Sequence, residues 1–241
     1  MSLNQKPEFE HHESIEKLPT SPSIRGGALH HEEVGIPMAP GSSMMAPSIP
    51  PLFKPGNPAA IGFASFASGS LVLGLTQIGL ITSLPQVAVG VALGYTGIAQ
   101  FVSGFMELLM GNTYAATTMM TYSGFFFSYG IMFSGASGFL EAAIPEGEEA
   151  LEKCIGVYML GYAFVSFIFF LGTLRQPWLI RATLFQVFLA FLFSCLGNFL
   201  HVPGLLAAGG WVSITLSLTA YYIMASMIFD ETTTFIKLPF F

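Results

Sequence analysis

The near absence of charged residues between Ile61 and Phe229 constrains this fold more than any other feature of the sequence. The few charges in that region lie mostly at joints between apolar stretches of about twenty residues, enough for a helix to cross a hydrocarbon core roughly 30 Å thick. Over all 241 residues, 53% are hydrophobic and only 9% are charged, whereas a soluble domain has about 25% charged residues. The sequence therefore predicts an all-α integral membrane protein with several spans.

Hydropathy predicts six transmembrane helices, joined mostly by short turns. The predicted spans cover residues 60–81, 87–109, 113–134, 155–174, 179–200 and 205–229. One longer joint, Gly135–Lys153, contains five glutamates. Residues 57–241 are thus expected to form a six-helix transmembrane domain.

Residues 1–56 are rich in Ser, Pro, His and Glu and show no hydrophobic period, which predicts a disordered tail. The pairs His11-His12 and His30-His31 lie in this tail. Because nothing there fixes a ligand geometry, we interpret them as solvated residues and expect neither a metal nor another cofactor.

The distribution of basic residues indicates the orientation. With six spans, both termini share a side with the joints between spans two and three and between spans four and five. That side holds Lys6, Lys17, Arg25, Lys54, Arg175, Arg181 and Lys237, and the opposite side holds only Lys153. We expect both termini in the cytoplasm and the acidic joint outside.

No set of catalytic residues with a plausible spacing occurs in the sequence, so we do not expect an enzyme. The acidic residues of the tail and the long joint argue against nucleic-acid binding. Polar residues inside the predicted spans could line a path or could join helices by hydrogen bonds. They are Gln77, Gln100, Glu107, Gln186, Asn198 and His201.

Two of the predicted helices begin with an asparagine. Asn57 precedes Pro58 at the first span, and Asn112 precedes Thr113 at the third. Asparagine is a good N-cap, and proline fits the first helical turn. Helix N-termini also suit a small anion, so ordinary capping and an anion site both remain open.

Three motifs resemble those of the acetate uptake transporter family, which includes bacterial succinate–acetate permeases and fungal acetate transporters. Residues 57–63 read Asn-Pro-Ala-Ala-Ile-Gly-Phe, close to the family signature Asn-Pro-Ala-Pro-Leu-Gly-Leu. Glu107 followed by Gly111-Asn112-Thr113-Tyr114 and by Thr121-Tyr122 resembles a second block. Phe170–Leu174 with Gly197-Asn198 resembles a third. The long polar tail resembles the fungal branch.

The resemblance implies six helices per subunit, a homo-hexameric ring in the cell membrane, and a path through each subunit for acetate and similar short-chain monocarboxylates together with a proton. It places an apolar constriction at Phe66, Tyr122 and Val187, where Val187 departs from the usual leucine. The residues we assign to substrate binding or to the path are Asn57, Pro58, Phe66, Glu107, Asn112, Thr113, Thr117, Tyr122, Val187 and Asn198.

Glu107 is the candidate for a proton site, because burial raises the pKa of a glutamate in general. The rival interpretation is a structural hydrogen bond at a helix end. Three alternatives to proton symport also remain: a channel-like anion path, an ammonium exporter, and a membrane sensor or regulator of acetic acid adaptation.

Overall fold

The computed structural model describes residues 56–82, 84 and 86–240, and this part of the chain is helical, with no strand. The predicted tail therefore lies outside the described residues, apart from Gly56. The helices are α1 (Pro58–Ile78), α2 (Gln86–Val91), α3 (Gly97–Leu109), α4 (Thr113–Phe133), α5 (Phe139–Ala143), α6 (Glu148–Gly172), α7 (Trp178–Leu200) and α8 (Pro203–Ile228).

A π-helical turn, Ala92–Thr96, joins α2 to α3, so the two form one continuous helix from Gln86 to Leu109. Each predicted span thus has a long helix at its position. The largest difference is in α6, which begins at Glu148 instead of residue 155. Hydropathy detects only the apolar part of this helix. Glu148 and Glu149 extend it because carboxylates favour the positive end of the helix dipole.

Within the described part of the chain, five helices are long and apolar enough to cross a membrane: α1, the continuous α2–α3 helix, α6, α7 and α8. Helix α4 has 21 residues and no charge, but its threonines, tyrosines, serines and glycines lower its hydropathy. The protein is a multi-pass membrane protein, as predicted. Length and composition support five of the six predicted crossings.

Helix α1 packs closely on α3 and α4 through small residues. Thr96 donates a hydrogen bond from Oγ1 to the carbonyl oxygen of Ser65 at 3.0 Å, and Ser103 donates from Oγ to the carbonyl oxygen of Pro58 at 2.7 Å. A Cβ atom on Gly69 would lie 2.5 Å from the ring of Phe126. Glycine at this position therefore permits a close approach that a larger residue would prevent.

Tyrosine hydroxyls join α4 to α6. Tyr114 donates to the carbonyl oxygen of Phe169 at 2.6 Å, and Tyr158 donates to the carbonyl oxygen of Phe125 at 2.9 Å. Helix α6 also packs on α7, α7 on α8, and α8 on α1. The long helices consequently surround a common interior, in which the candidate site lies.

Candidate functional site

A cavity of about 350 Å³ lies between α1, α4, α6, α7 and α8. Its lining residues include no Asp, Glu, Lys, Arg or His. Most of its wall consists of aromatic and aliphatic side chains. They are Phe66, Leu73, Phe125, Phe126, Tyr129, Phe133, Ile155, Met159, Val187, Ala190, Phe191, Leu206 and Leu216. The cavity can accommodate a small solute but provides no countercharge for an ion.

Phe66 and Val187 form what we call the apolar end of the cavity. Tyr122 packs directly against Phe66, with ring centroids 5.5 Å apart. The Tyr122 ring also stacks on Phe191, and its hydroxyl donates to Ser166 Oγ at 3.0 Å. All three residues assigned to the constriction are buried, with at most 6% of each exposed. The structure thus brings Phe66, Tyr122 and Val187 into one apolar core.

Gln77, Ser194 and Asn198 form what we call the polar end of the cavity. Gln77 Nε2 donates to Ser194 Oγ at 2.7 Å, and Asn198 Nδ2 donates to the carbonyl oxygen of Ser194 at 2.7 Å. Gln77 follows Phe66 by eleven residues, as Asn198 follows Val187. At about 1.5 Å per helical residue, the two ends are about 16 Å apart along the helices.

The sequence analysis did not assign Ser194 to the site, nor the other serine and threonine residues that line the cavity, Ser70, Thr76 and Ser213. A weak signal was present in the sequence. Ser194 precedes Asn198 by four residues, so both lie on one face of α7. Serine is common in membrane helices as a packing residue, however, and this spacing by itself does not distinguish a cavity lining from a helix contact.

The asparagines at the helix starts lie outside the cavity and act as ordinary caps. Asn57 is exposed, and its Oδ1 accepts from the backbone N–H of Ala59 at 3.1 Å. Asn112 Oδ1 accepts from the backbone N–H of Ala115 at 3.3 Å. Pro58 contributes its carbonyl oxygen to the bond from Ser103. These contacts favour the capping interpretation over an anion site.

Glu107 is buried, with 5% exposed, and it is bonded to the next helix start. Asn112 Nδ2 donates to Glu107 Oε2 at 2.7 Å. This contact is the structural hydrogen bond that we had considered as the rival to a proton site. Thr113 and Thr117 are exposed near this pair, and Thr117 Oγ1 donates to the carbonyl oxygen of Thr113.

Of the ten residues assigned to the path, three line the cavity, Tyr122 packs on its wall, and six lie near the starts of α1 and α4. The remaining polar residues are dispersed. Gln100 is buried against Met119, Gln186 lines a separate groove of about 400 Å³ between α7 and α8, and His201 Nδ1 contacts the carboxylate of Glu152. Of the six polar residues that the sequence analysis singled out in the spans, Gln77 and Asn198 line the cavity and the other four do not.

Residues 41–241 match the profile of the GPR1/FUN34/yaaH family. The chain belongs to this family. It is the acetate uptake transporter family that the motifs indicated, so the recognition from Asn57–Phe63 and the two later blocks is confirmed. The match covers every helix that the structure describes, which assigns the whole bundle to the GPR1/FUN34/yaaH fold.

Three relatives within this family show how far the likeness extends. The chain is 30% identical to ammonia transport outward protein 2 of Saccharomyces cerevisiae, over 79% of this chain and 66% of the relative. It is 27% identical to acetate permease A of Emericella nidulans, over 77% and 66%. It is 26% identical to the succinate-acetate/proton symporter SatP of Escherichia coli, over 74% and 91%. The chain thus spans just under two thirds of the fungal relatives, and all three are transport proteins rather than enzymes.

The solved structure of the bacterial acetate channel SatP has the same fold, with a TM-score of 0.67. The likeness covers 77% of this chain and all of that chain, at 21% sequence identity. The all-helical membrane fold predicted from hydropathy is therefore confirmed.

Proposed function

We propose that this protein carries acetate and similar short-chain monocarboxylates across the cell membrane, together with a proton. One observation carries the proposal: an uncharged cavity lies among the long helices and meets an apolar core at Phe66, Tyr122 and Val187. The names of acetate permease A and SatP support the choice of solute.

The cost of dehydrating a carboxylate favours transport of acetate together with a proton. An isolated carboxylate in an apolar medium loses hydration worth tens of kcal/mol in the ideal limit, whereas a neutral hydrogen bond contributes only about 1 kcal/mol. The neutral side chains of this cavity cannot offset such a loss. A solute that carries its own proton avoids it. An apolar constriction then passes a small neutral species and resists ions.

The arrangement in the membrane completes the proposal. We infer six crossings with α4 as the third, residues 1–56 as a cytoplasmic tail, residues 57–241 as the transport domain, and both termini in the cytoplasm. The excess of Lys and Arg on the side of the termini supports this orientation. Assembly as a homo-hexamer in the lipid bilayer rests on the resemblance to the acetate uptake transporter family alone.

A second candidate function is export of ammonium or ammonia, favoured by the name of the yeast relative. An uncharged cavity with an apolar end also suits neutral ammonia. A channel-like path, rather than symport, is consistent with the same geometry and with the description of SatP as a channel.

Uptake of radiolabelled acetate into proteoliposomes tests the proposal. With an inward proton gradient we expect saturable uptake that exceeds uptake without the gradient. Uptake that is unaffected by the gradient and does not saturate would favour a channel. Loss of internal ammonium without any acetate flux would favour the second candidate. Thr215→Val, an exposed position on α8, serves as the matched control because it lies outside the cavity.

A further inference from the structure

Three helices meet at the polar end of the cavity and place two amides and a hydroxyl together. Gln77 comes from α1, and Ser194 and Asn198 come from α7. Gly209 of α8 closes the group: a Cβ atom at this position would lie 3.0 Å from both Gln77 Nε2 and Ser194 Oγ. Because glycine has no side chain, α8 can lie directly against Gln77 and Ser194 at this position.

The hydrogen bonds within the group leave several donors and acceptors free to bind a ligand. Ser194 Oγ accepts from Gln77, so its own O–H remains free to donate. Each amide uses its nitrogen in one bond, which leaves a second N–H on each. Among the described residues, the side-chain hydrogen bonds of Gln77 and Asn198 are donated by their amide nitrogens, and neither Gln77 Oε1 nor Asn198 Oδ1 takes part in one. The polar end thus offers both donors and acceptors.

This combination matches a protonated carboxylic acid better than a carboxylate. A primary amide presents an N–H beside a C=O, and a carboxylic acid presents an O–H beside a C=O, so the two can form a ring of two hydrogen bonds. A carboxylate can accept from the free N–H and O–H groups, but it has no proton to donate, so Gln77 Oε1 and Asn198 Oδ1 would stay unpaired beside its negative charge. No cationic side chain lines the cavity to offset its charge.

We propose that Gln77, Ser194 and Asn198 form a binding site for the neutral, protonated form of a short carboxylic acid, and that this site discriminates against the anion. The site deepens the proposed function and rests on it for the choice of solute. The proton then enters the cavity on the acid itself. The titratable residues closest along these helices are His201, three residues beyond Asn198, and Glu152 on α6, which contacts His201, and neither lines the cavity.

Two acetate-sized compounds distinguish the neutral form from the anion. Acetamide is uncharged and presents an N–H beside a C=O, whereas methanesulfonate remains ionised at every practical pH. At one fixed pH we expect acetamide to inhibit labelled acetate uptake by the wild-type protein, and methanesulfonate at the same concentration to leave it unchanged. Inhibition by methanesulfonate but not by acetamide would overturn the proposal.

Substitution of either amide side chain tests whether acetamide inhibits uptake by binding at the polar end of the cavity. In Asn198→Leu and in Gln77→Leu we expect the half-inhibitory concentration of acetamide to rise about tenfold, since each change removes hydrogen bonds to the ligand. Gln186→Leu is the matched control, because it makes the same change on α7 outside the cavity. An unchanged half-inhibitory concentration in both cavity variants would refute the site.

Saturation-transfer NMR on the purified protein tests binding without flux. A signal for acetamide that is strong in the wild type and lost in Asn198→Leu supports the site, even if liposomes show no acetate uptake and the proposed function fails. A signal for methanesulfonate alone would overturn the site, even if acetate uptake is normal. Thermal unfolding of each variant in detergent verifies that it is folded, and Gln77→Leu replaces Asn198→Leu if the latter is not.

Discussion

At the scale of single residues, the apolar end of the cavity depends on a few large rings. Phe66 contacts Tyr122 and also meets Phe126 edge-on, with ring centroids 6.2 Å apart. Such aromatic pairs contribute about 0.5–1.5 kcal/mol beyond the area that they bury. We propose that these rings are the main barrier to ions along the path through the cavity.

Phe66→Ala should open this barrier. We expect a raised ion conductance in planar bilayers and a loss of about 3–5 kcal/mol in the free energy of unfolding, the usual cost of removing a buried phenylalanine. Phe105→Ala is the control, because Phe105 is 46% exposed on α3. Conductance equal to that of the wild type would show that Phe66 is not part of the barrier.

Glu107→Gln should leave acetate uptake and its dependence on the proton gradient close to wild type. Glutamine retains an oxygen that can accept from Asn112 Nδ2, so the bond between α3 and the start of α4 survives. Glu107→Leu should destabilise the protein by about 0.5–1.5 kcal/mol, because it removes this hydrogen bond while the exposed Asn112 donor can bind solvent instead. Thermal unfolding and liposome uptake measure the two effects. Loss of gradient-driven uptake in folded Glu107→Gln would restore the proton-site hypothesis.

At the scale of helices, glycine determines where the backbones approach each other. Gly69 lies against Phe126 and Thr96, whereas Gly124 of α4 has no atom near the position of an added Cβ. Gly69 and Gly124 therefore allow the same substitution to be compared in a tight contact and in open space.

Gly69→Ala should destabilise the bundle by about 1–3 kcal/mol, because the added methyl group would lie 2.5 Å from the Phe126 ring. Gly124→Ala should be neutral or stabilise α4 by up to about 1 kcal/mol, as alanine favours a helix over glycine. The midpoints of thermal unfolding in one detergent provide the comparison. Equal midpoints for both variants would contradict the close packing at Gly69.

The turn after α8 contains a carboxylate that should be sensitive to acid. Asp230 Oδ1 accepts from Thr232 Oγ1 at 2.6 Å and from the backbone N–H groups of Thr232 and Thr233. The hydrogen bonds from Thr232 lower the pKa of Asp230. A lowered pKa means that the carboxylate stabilises the turn above the unfolded pKa, and that this contribution is lost as the pH falls through the folded pKa.

Hydrogen-exchange protection of the Thr232 amide measures this effect, since the Thr233 N–H also donates to the carbonyl oxygen of Asp230 at 3.1 Å and the Thr232 N–H does not. After correction for the intrinsic pH dependence of exchange, protection should fall in acid below the unfolded pKa of aspartate, near pH 4. Asp230→Ala should show low protection at every pH. Protection that persists in acid for the wild type would disprove the role of the carboxylate.

At the scale of the whole molecule, labelling of the two cysteines can test both the orientation in the membrane and the packing of the helices. Cys154 is exposed near the start of α6, beside the acidic joint, and Cys195 is buried in α7, with 1% exposed. The proposed orientation puts Cys154 outside the cell.

A membrane-impermeant maleimide should therefore label intact cells at Cys154 and leave Cys195 unmodified. The variant Cys154→Ser should remain unlabelled until the membrane is opened and the protein unfolded. Labelling of Cys154 only after the membrane is permeabilised would reverse the proposed orientation while leaving the fold unchanged.

Composition, hydropathy and motifs were sufficient to predict the class of this protein, the positions of its long helices and its family. Each of these properties depends on local sequence: the length of an apolar stretch predicts a membrane span, Asn57 and Asn112 mark helix starts, and the motifs identify the family. Hydropathy predicted a span at residues 113–134 and Asn112 marked its start, and helix α4 lies there, although it is more polar than the five helices that meet the stricter length and composition criterion.

The contacts between side chains of different helices, in contrast, could be seen only in the packed bundle. Gln77 and Ser194 are separated by 117 positions yet form a hydrogen bond, and Glu107 turns toward Asn112 and not into the cavity. A membrane helix is apolar on most of its faces, so its sequence gives little indication of which face points toward the interior of the bundle. Rotation of each helix is set by close contacts such as those at Gly69 and Gly209, which arise between residues far apart in the chain.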